Sequence, residues 1–201
     1  NSPMRSRCCP VMFDSDMIAG LDWVFSQRGV RSIGAVNVSF GGGSFTGFCD
    51  TSTIKPSIDN LRSAAIPTVV ISGNDGFANA VNRPGCISTA VTVGATTITD
   101  TVPNFSNSGP QVDFFAPGVA IDSSVLNGQY ASWDGTSMAA PHVAGAWALM
   151  RQRFPSESVT SIYQRFSSTG KMVTDSAASP ALTRPRIDVL KASGLDVLDL
   201  N

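Results

Sequence analysis

One stretch of this sequence has residue types in an order that suits covalent chemistry: Gly135-Thr136-Ser137-Met138-Ala139-Ala140-Pro141-His142-Val143-Ala144-Gly145. It places a serine in the first turn of a hydrophobic helix. There the positive end of the helix dipole and unpaired backbone N–H groups stabilise negative charge. A hydroxyl so placed can attack a carbonyl while neighbouring N–H groups hold the resulting oxyanion. Pro141 is expected to be tolerated because first-turn amides have no intrahelical partner. Small residues let such a helix pack closely on a sheet. The stretch is not the G-x-S-x-G elbow of α/β-hydrolases, since Ala139 stands where the second glycine belongs. An esterase of that class is therefore excluded.

The elements that must carry this serine are legible as alternating helices and buried strands. Met17, Ile18, Leu21, Val24 and Phe25 have helical spacing, with Asp16 as expected N-cap and Gly29 as stop. The runs Ile33–Ser39, Pro67–Gly73, Ala90–Gly94 and Val112–Phe115 are mainly apolar and end at glycine or proline. They read as strands covered on both faces. A helix is expected around Ile58, Leu61 and Ala65. A hairpin turn is expected at Asn127-Gly128, then a long helix over 137–153. Two more helices are expected over 159–166, capped by Ser156, and over 187–192. This alternation predicts an α/β fold with a mostly parallel, doubly wound sheet flanked by helices in three layers, one domain in all. Ligands of such sheets bind beyond the carboxyl ends of the strands, where Ser39-Phe40-Gly41-Gly42 and Ser72-Gly73-Asn74 fall.

The serine stretch resembles the nucleophile motif of the subtilisin-like serine proteases (subtilases, peptidase S8), secreted bacterial members above all. Three further matches occur in family order. Ser39-Phe40-Gly41-Gly42 looks like the segment that pairs with the substrate backbone and forms one wall of the S1 pocket. Ser72-Gly73-Asn74 looks like the opposite wall, with Asn74 at the position of the oxyanion-hole amide. Phe105-Ser106-Asn107-Ser108-Gly109 and Ala116-Pro117-Gly118 match the later strand region, and Pro185-Arg186-Ile187 looks like the closing helix. The resemblance implies endopeptidase chemistry: acyl transfer through Ser137, a tetrahedral oxyanion stabilised by Asn74, and a polypeptide substrate. Thr136 either assists the oxyanion hole or satisfies the helix terminus. No cofactor is required for this chemistry. Calcium as a structural ion is the one metal the resemblance suggests. Asp113 sits where some relatives place a calcium carboxylate, although capping of local backbone is the preferred reading.

Subtilases also need a histidine base and its orienting aspartate. In the family both precede everything matched here, in Asp-(Ser/Thr)-Gly and His-Gly-(Thr/His) contexts, and neither occurs in this chain. The single histidine, His142, follows Ser137 on the same helix, roughly 140° round and about 7.5 Å along, so it points away. Its expected role is packing and hydrogen bonding. The chain therefore reads as part of a catalytic domain, incomplete at its N-terminal side and inactive alone. Residues 14–201 match the family and residues 1–13 do not. The missing N-terminal segment of the same domain is the expected partner. A non-catalytic, pseudoprotease-like peptide-binding domain is the alternative.

Cys49 and Cys86 lie in loop sequence, with no C-x-x-C and too few histidines for a familiar zinc pattern. They read as a disulfide, or else as two unrelated free thiols. Many secreted relatives carry a pair at these positions. An oxidising, extracellular setting follows from the disulfide reading. A net charge of −1, with no Lys/Arg run, argues against nucleic acid or an anionic membrane surface as partner. No apolar stretch is long enough to span a bilayer.

Overall fold

The computed structural model describes residues 12–195. In chain order the elements are α1 (Asp14–Gln27), β1 (Val36–Val38), β2 (Gly42–Phe45), α2 (Lys55–Ser63), β3 (Thr68–Ile71), β4 (Val81–Arg83) and β5 (Val91–Thr96). They continue with β6 (Phe114–Pro117), β7 (Ile121–Val125), β8 (Gln129–Trp133), α3 (Thr136–Arg153), α4 (Val159–Thr169), β9 (Lys171–Asp175), β10 (Leu182–Arg186) and α5 (Val189–Ser193).

Six strands form one sheet in the order β1-β3-β5-β6-β10-β9. All neighbours are parallel except the last pair, where β9 runs antiparallel to β10. The expected doubly wound, mostly parallel α/β architecture is thus present. β3 and β5 are buried along their whole length, as strands sandwiched between helical layers must be.

On one face α3 packs Ala139, Ala140, Val143, Ala146, Trp147 and Met150 against Val69, Val91, Val93 and Phe114. Phe114, Trp147 and Phe166 lie edge-on to one another, with centroids 5.2–6.5 Å apart. On the other face α1 and α2 cover Val38 and Val70 through Leu21, Ile58 and Leu61. Cys49 and Cys86 form a disulfide, with Cα atoms 5.2 Å apart and the Cys49 N–H donating to the Cys86 carbonyl.

Several expected boundaries shift for local reasons. α1 begins at Asp14 with Phe13 as N-cap. Asp16 is not the cap but the third helical residue, and its carboxylate accepts the Phe13 N–H at 3.3 Å. Ser158, not Ser156, caps α4 by accepting the Ser161 N–H at 3.0 Å. Ala65 lies past the end of α2 at φ 60°. Pro185 and Arg186 belong to β10, so the closing helix starts only at Val189, capped by Asp188. The Asn127-Gly128 turn is present, with φ of 64° and 68° joining β7 to β8. The β2–β4 ribbon and the β9–β10 hairpin were not foreseen.

Candidate active site

Ser137 is the second residue of α3 and is partly exposed. Its helix starts at the carboxyl edge of the sheet because Gly135, at φ 153°, turns the chain out of the β8 strand. The Ser137 N–H has no hydrogen-bond partner among the described residues. Its hydroxyl lies 3.4 Å from the Ser39 carbonyl, and the Ser39 hydroxyl donates back to the Ser137 carbonyl at 3.2 Å. Pro141 explains the second contact. It lies well inside α3, not in the first turn as expected, and it has no N–H to offer the carbonyl four residues before it. That carbonyl is Ser137's, and Ser39 satisfies it. The Asn37 side-chain amide in turn donates to the Ser39 hydroxyl at 3.0 Å.

Asn74 reaches the same opening from the end of β3. Its Oδ1 accepts both the Thr136 N–H and the Thr136 hydroxyl, each at 2.8 Å. With the oxygen so engaged, Nδ2 remains a donor with no hydrogen-bond partner among the described residues. A point one Cβ bond out from Gly135 lies 3.5 Å from Asn74 Nδ2 and 3.6 Å from the Ser137 nitrogen. Asn74 Nδ2 and the Ser137 nitrogen thus lie on the same side of Gly135, with Met138 Sδ also 3.5 Å from that point. Thr136 is fully buried, so its hydroxyl serves Asn74 and does not itself face the opening.

The loop carrying Asn74 is held from below by two asparagines. Asn107 accepts the N–H groups of Asp75 and Phe77 and donates to the Ser72 carbonyl. Asn82 donates to the Gly43 carbonyl at 2.6 Å and to Asp75 Oδ2 at 2.9 Å. Gly73 has to be glycine twice over. Its φ is 112°, and a Cβ would lie 2.1 Å from Asn82 Oδ1 and 2.2 Å from Asn107 Nδ2. Asn107 lay inside a recognised motif without an assigned task, and Asn82 carried no local signal at all.

Of the other expected site residues, Phe40 and Gly41, between β1 and β2, and Gly42, the first residue of β2, are exposed. Ser72 and Gly73 are buried, so the second wall presents Asn74 and leaves Ser72 beneath the surface. His142 is exposed, which corrects the expectation that it packs. Its Nδ1 lies 2.8 Å from the Met138 carbonyl, and because a carbonyl only accepts, Nδ1 donates. Asp113 Oδ2 accepts the Thr92 N–H at 2.7 Å, and Oδ1 accepts the Tyr163 hydroxyl at 2.9 Å. Burial outweighs these bonds and pushes the Asp113 carboxyl up to about 6. Burial, with the Asp113 charge, also pushes the Tyr163 hydroxyl up to about 12. Among the described residues no cluster of three or more His, Cys, Asp or Glu is arranged to hold a metal ion. No helix among them is long and apolar enough to cross a membrane.

A helix with a serine in its first turn, heading a doubly wound sheet beside a strand-end asparagine, is the arrangement of subtilisin-like proteins. The model of the Subtilase family (Peptidase S8) matches residues 12–184, and the chain belongs to that family. It is 40% identical over 151 residues to the extracellular serine proteinase of Thermus sp. strain Rt41A, covering 74% of this chain and 35% of that protein. It is 32% identical to subtilisin DY of Bacillus licheniformis, covering 81% of this chain and 57% of that one. A cold-adapted subtilisin-like serine proteinase of known structure superposes at a TM-score of 0.70 with 31% identity. That match covers 81% of this chain and 57% of the other. The prenylagaramide maturation protease PagA shares the fold, at a TM-score of 0.76 and 21% identity, with 92% of this chain and 68% of that one covered. The chain thus spans about a third to three fifths of the length of these curated relatives.

Proposed function

We propose that this chain is the nucleophile-bearing part of a serine endopeptidase domain. Ser137 attacks the scissile carbonyl, and the Asn74 side-chain amide with the Ser137 N–H receives the oxyanion. Thr136 orients Asn74, while Ser39 to Gly42 flank the bound polypeptide on one side and Asn74, carried by the buried Ser72-Gly73, on the other. The observation that carries this reading is the proximity of Asn74 Nδ2 and the Ser137 nitrogen to one point beside Gly135, since preorganised donors near a developing oxyanion are usually the largest single source of stabilisation in acyl transfer. The base and its aspartate come from a preceding segment of the same domain. Two features suit its docking: among the described residues β1 pairs with β3 on one side and with no strand on the other, and α3 leaves Gly145, Ala148 and Leu149 exposed. Asp113 caps backbone, facing hydrogen-bond donors where calcium would require further oxygens. An extracellular location accords with the disulfide and with relatives described as extracellular.

Without base and aspartate the chain by itself has no turnover of a peptide anilide. Joined to the coding sequence immediately upstream, with its Asp-(Ser/Thr)-Gly and His-Gly-Thr contexts, it gains turnover that Ser137→Ala abolishes. In that longer protein Asn74→Ala lowers kcat by about 10²–10³ with KM little changed. An upstream sequence lacking both motifs, with peptide binding retained, leaves the non-catalytic peptide-binding reading. Turnover by the isolated chain that Ser137→Ala removes contradicts the assignment of roles.

A further inference from the structure

β1 carries one polar side chain in an apolar strand, Asn37 between Val36 and Val38. Alternation sends Val36 and Val38 to the α1–α2 side, and Ala35, Asn37 and Ser39 to the side of α3. Asn37 lies two residues short of Ser39 and serves it. Its Nδ2 donates to the Ser39 hydroxyl at 3.0 Å, and that hydroxyl donates to the Ser137 carbonyl at 3.2 Å. Chemistry fixes the direction of both bonds. An amide nitrogen only donates and a carbonyl only accepts, so the Ser39 proton points at Ser137. A hydroxyl that accepts one bond is also a stronger donor in the next. The receiving carbonyl lacks its helical donor, because Pro141 stands four residues on. The Ser137 hydroxyl contacts Ser39 in return, 3.4 Å from its carbonyl.

We infer that Asn37 is a positioning residue: through the Ser39 hydroxyl it fixes the Ser137 carbonyl that Pro141 deprives of a helical donor, and so holds the backbone that carries the nucleophile. The inference rests on the proposed reading of Ser137. An unbroken helix would hold this carbonyl by its own ladder of hydrogen bonds. Here the first turn is held instead from a strand end. Without the Asn37 amide the Ser39 proton loses its fixed direction, and the Ser137 carbonyl its steady donor. The Ser137 carbonyl and N–H pivot about one Cα, so a carbonyl that drifts also re-aims the N–H that faces the oxyanion.

The test reads the Ser137 backbone in the chain itself and needs no turnover. Heteronuclear NMR follows the Ser137 carbonyl-carbon shift in the native chain, in Asn37→Ala, in Ser39→Ala and in the pair, with thermal unfolding as the folding control. Each single variant is expected to move that shift in the direction of a lost hydrogen bond. The pair moves it no further than Ser39→Ala alone, since members of one relay are not additive. Asn37→Asp keeps the shape, but its carboxylate only accepts and draws the Ser39 proton away. It gives the same shift should the alanine variant fold poorly. Pro141→Ala returns an N–H to the Ser137 carbonyl, and in that background neither Asn37→Ala nor Ser39→Ala moves the shift, a suppression that a merely structural role for Asn37 does not produce. Affinity for a blocked tetrapeptide acid falls about three- to tenfold in Asn37→Ala, as for one hydrogen bond. A Ser137 shift unmoved by Asn37→Ala, or additive effects in the pair, overturns the inference. Unchanged affinity for a peptide that the native chain binds also overturns it, while the cleft reading stands. A native chain that binds no peptide while the shift pattern holds overturns the cleft reading and leaves Asn37 as the positioning residue of the helix start.

Discussion

Thr136 and Asn74 are joined twice, the threonine N–H and hydroxyl both ending on the same asparagine oxygen at 2.8 Å. This fork sets the plane of the amide and turns Nδ2 toward the opening above Gly135. The sequence left two tasks open for Thr136, and its position supplies a third. Thr136→Val keeps shape and N–H but removes the hydroxyl. It is expected to cost about 0.5–1.5 kcal/mol of stability and to weaken binding of a product-type peptide carboxylate. Denaturant unfolding with a parallel peptide titration measures both, and unchanged peptide affinity would separate Thr136 from the site.

The Cys49–Cys86 bridge closes a loop of 37 residues. In the chain-entropy account such a loop contributes about 3–4 kcal/mol. Replacing both cysteines by serine should lower unfolding stability by that order, and mild reduction of the native chain should have the same effect. A loss below about 1 kcal/mol would mean that the denatured chain is already constrained there.

Asp113 gives a pH dependence of definite sign. Its carboxyl is raised from 3.8 to about 6 by burial, against the pull of the Thr92 and Tyr163 hydrogen bonds. A folded-state value above the unfolded one means the folded chain binds the proton more tightly. The associated stability is present below about pH 4 and is lost as pH rises to about 6, levelling off above that. The loss is on the order of 2–3 kcal/mol by the shift. Comparing native and Asp113→Asn unfolding between pH 4 and 8 isolates the contribution. A difference between the two that does not change with pH contradicts the assignment.

The sheet was legible where strands are continuous apolar runs: Thr68–Ile71 and Val91–Thr96 lie within or beside the stretches read as buried strands. The β2–β4 ribbon was not, because Gly42 and Gly43 carry no alternation and Val81–Arg83 is only three residues long. β10 was hidden by Pro185, which argues against a strand interior yet lies opposite Met172 in the antiparallel pairing with the edge strand β9. Ser137, Asn74 and the strand-end glycines were found through local motifs. What fixes them was not, since Asn82, Asn107 and the Pro141–Ser39 relation join segments far apart in sequence. The same holds for His142: helical geometry turned it away from Ser137, but only the fold shows that it is exposed among the described residues.

In the proposed site the Asn74 amide and the Ser137 N–H act on one anion. Heteronuclear NMR of the chain, titrated with a blocked peptide ending in a free carboxylate, observes both groups at once. The Asn74 side-chain Nδ2 protons and the Ser137 amide proton should shift together along one binding curve, and Asn74→Ala should weaken the Ser137 shift by about tenfold in affinity, as for loss of a hydrogen bond to a charged group. Shifts confined to other regions, or a Ser137 response unaffected by Asn74→Ala, would contradict it.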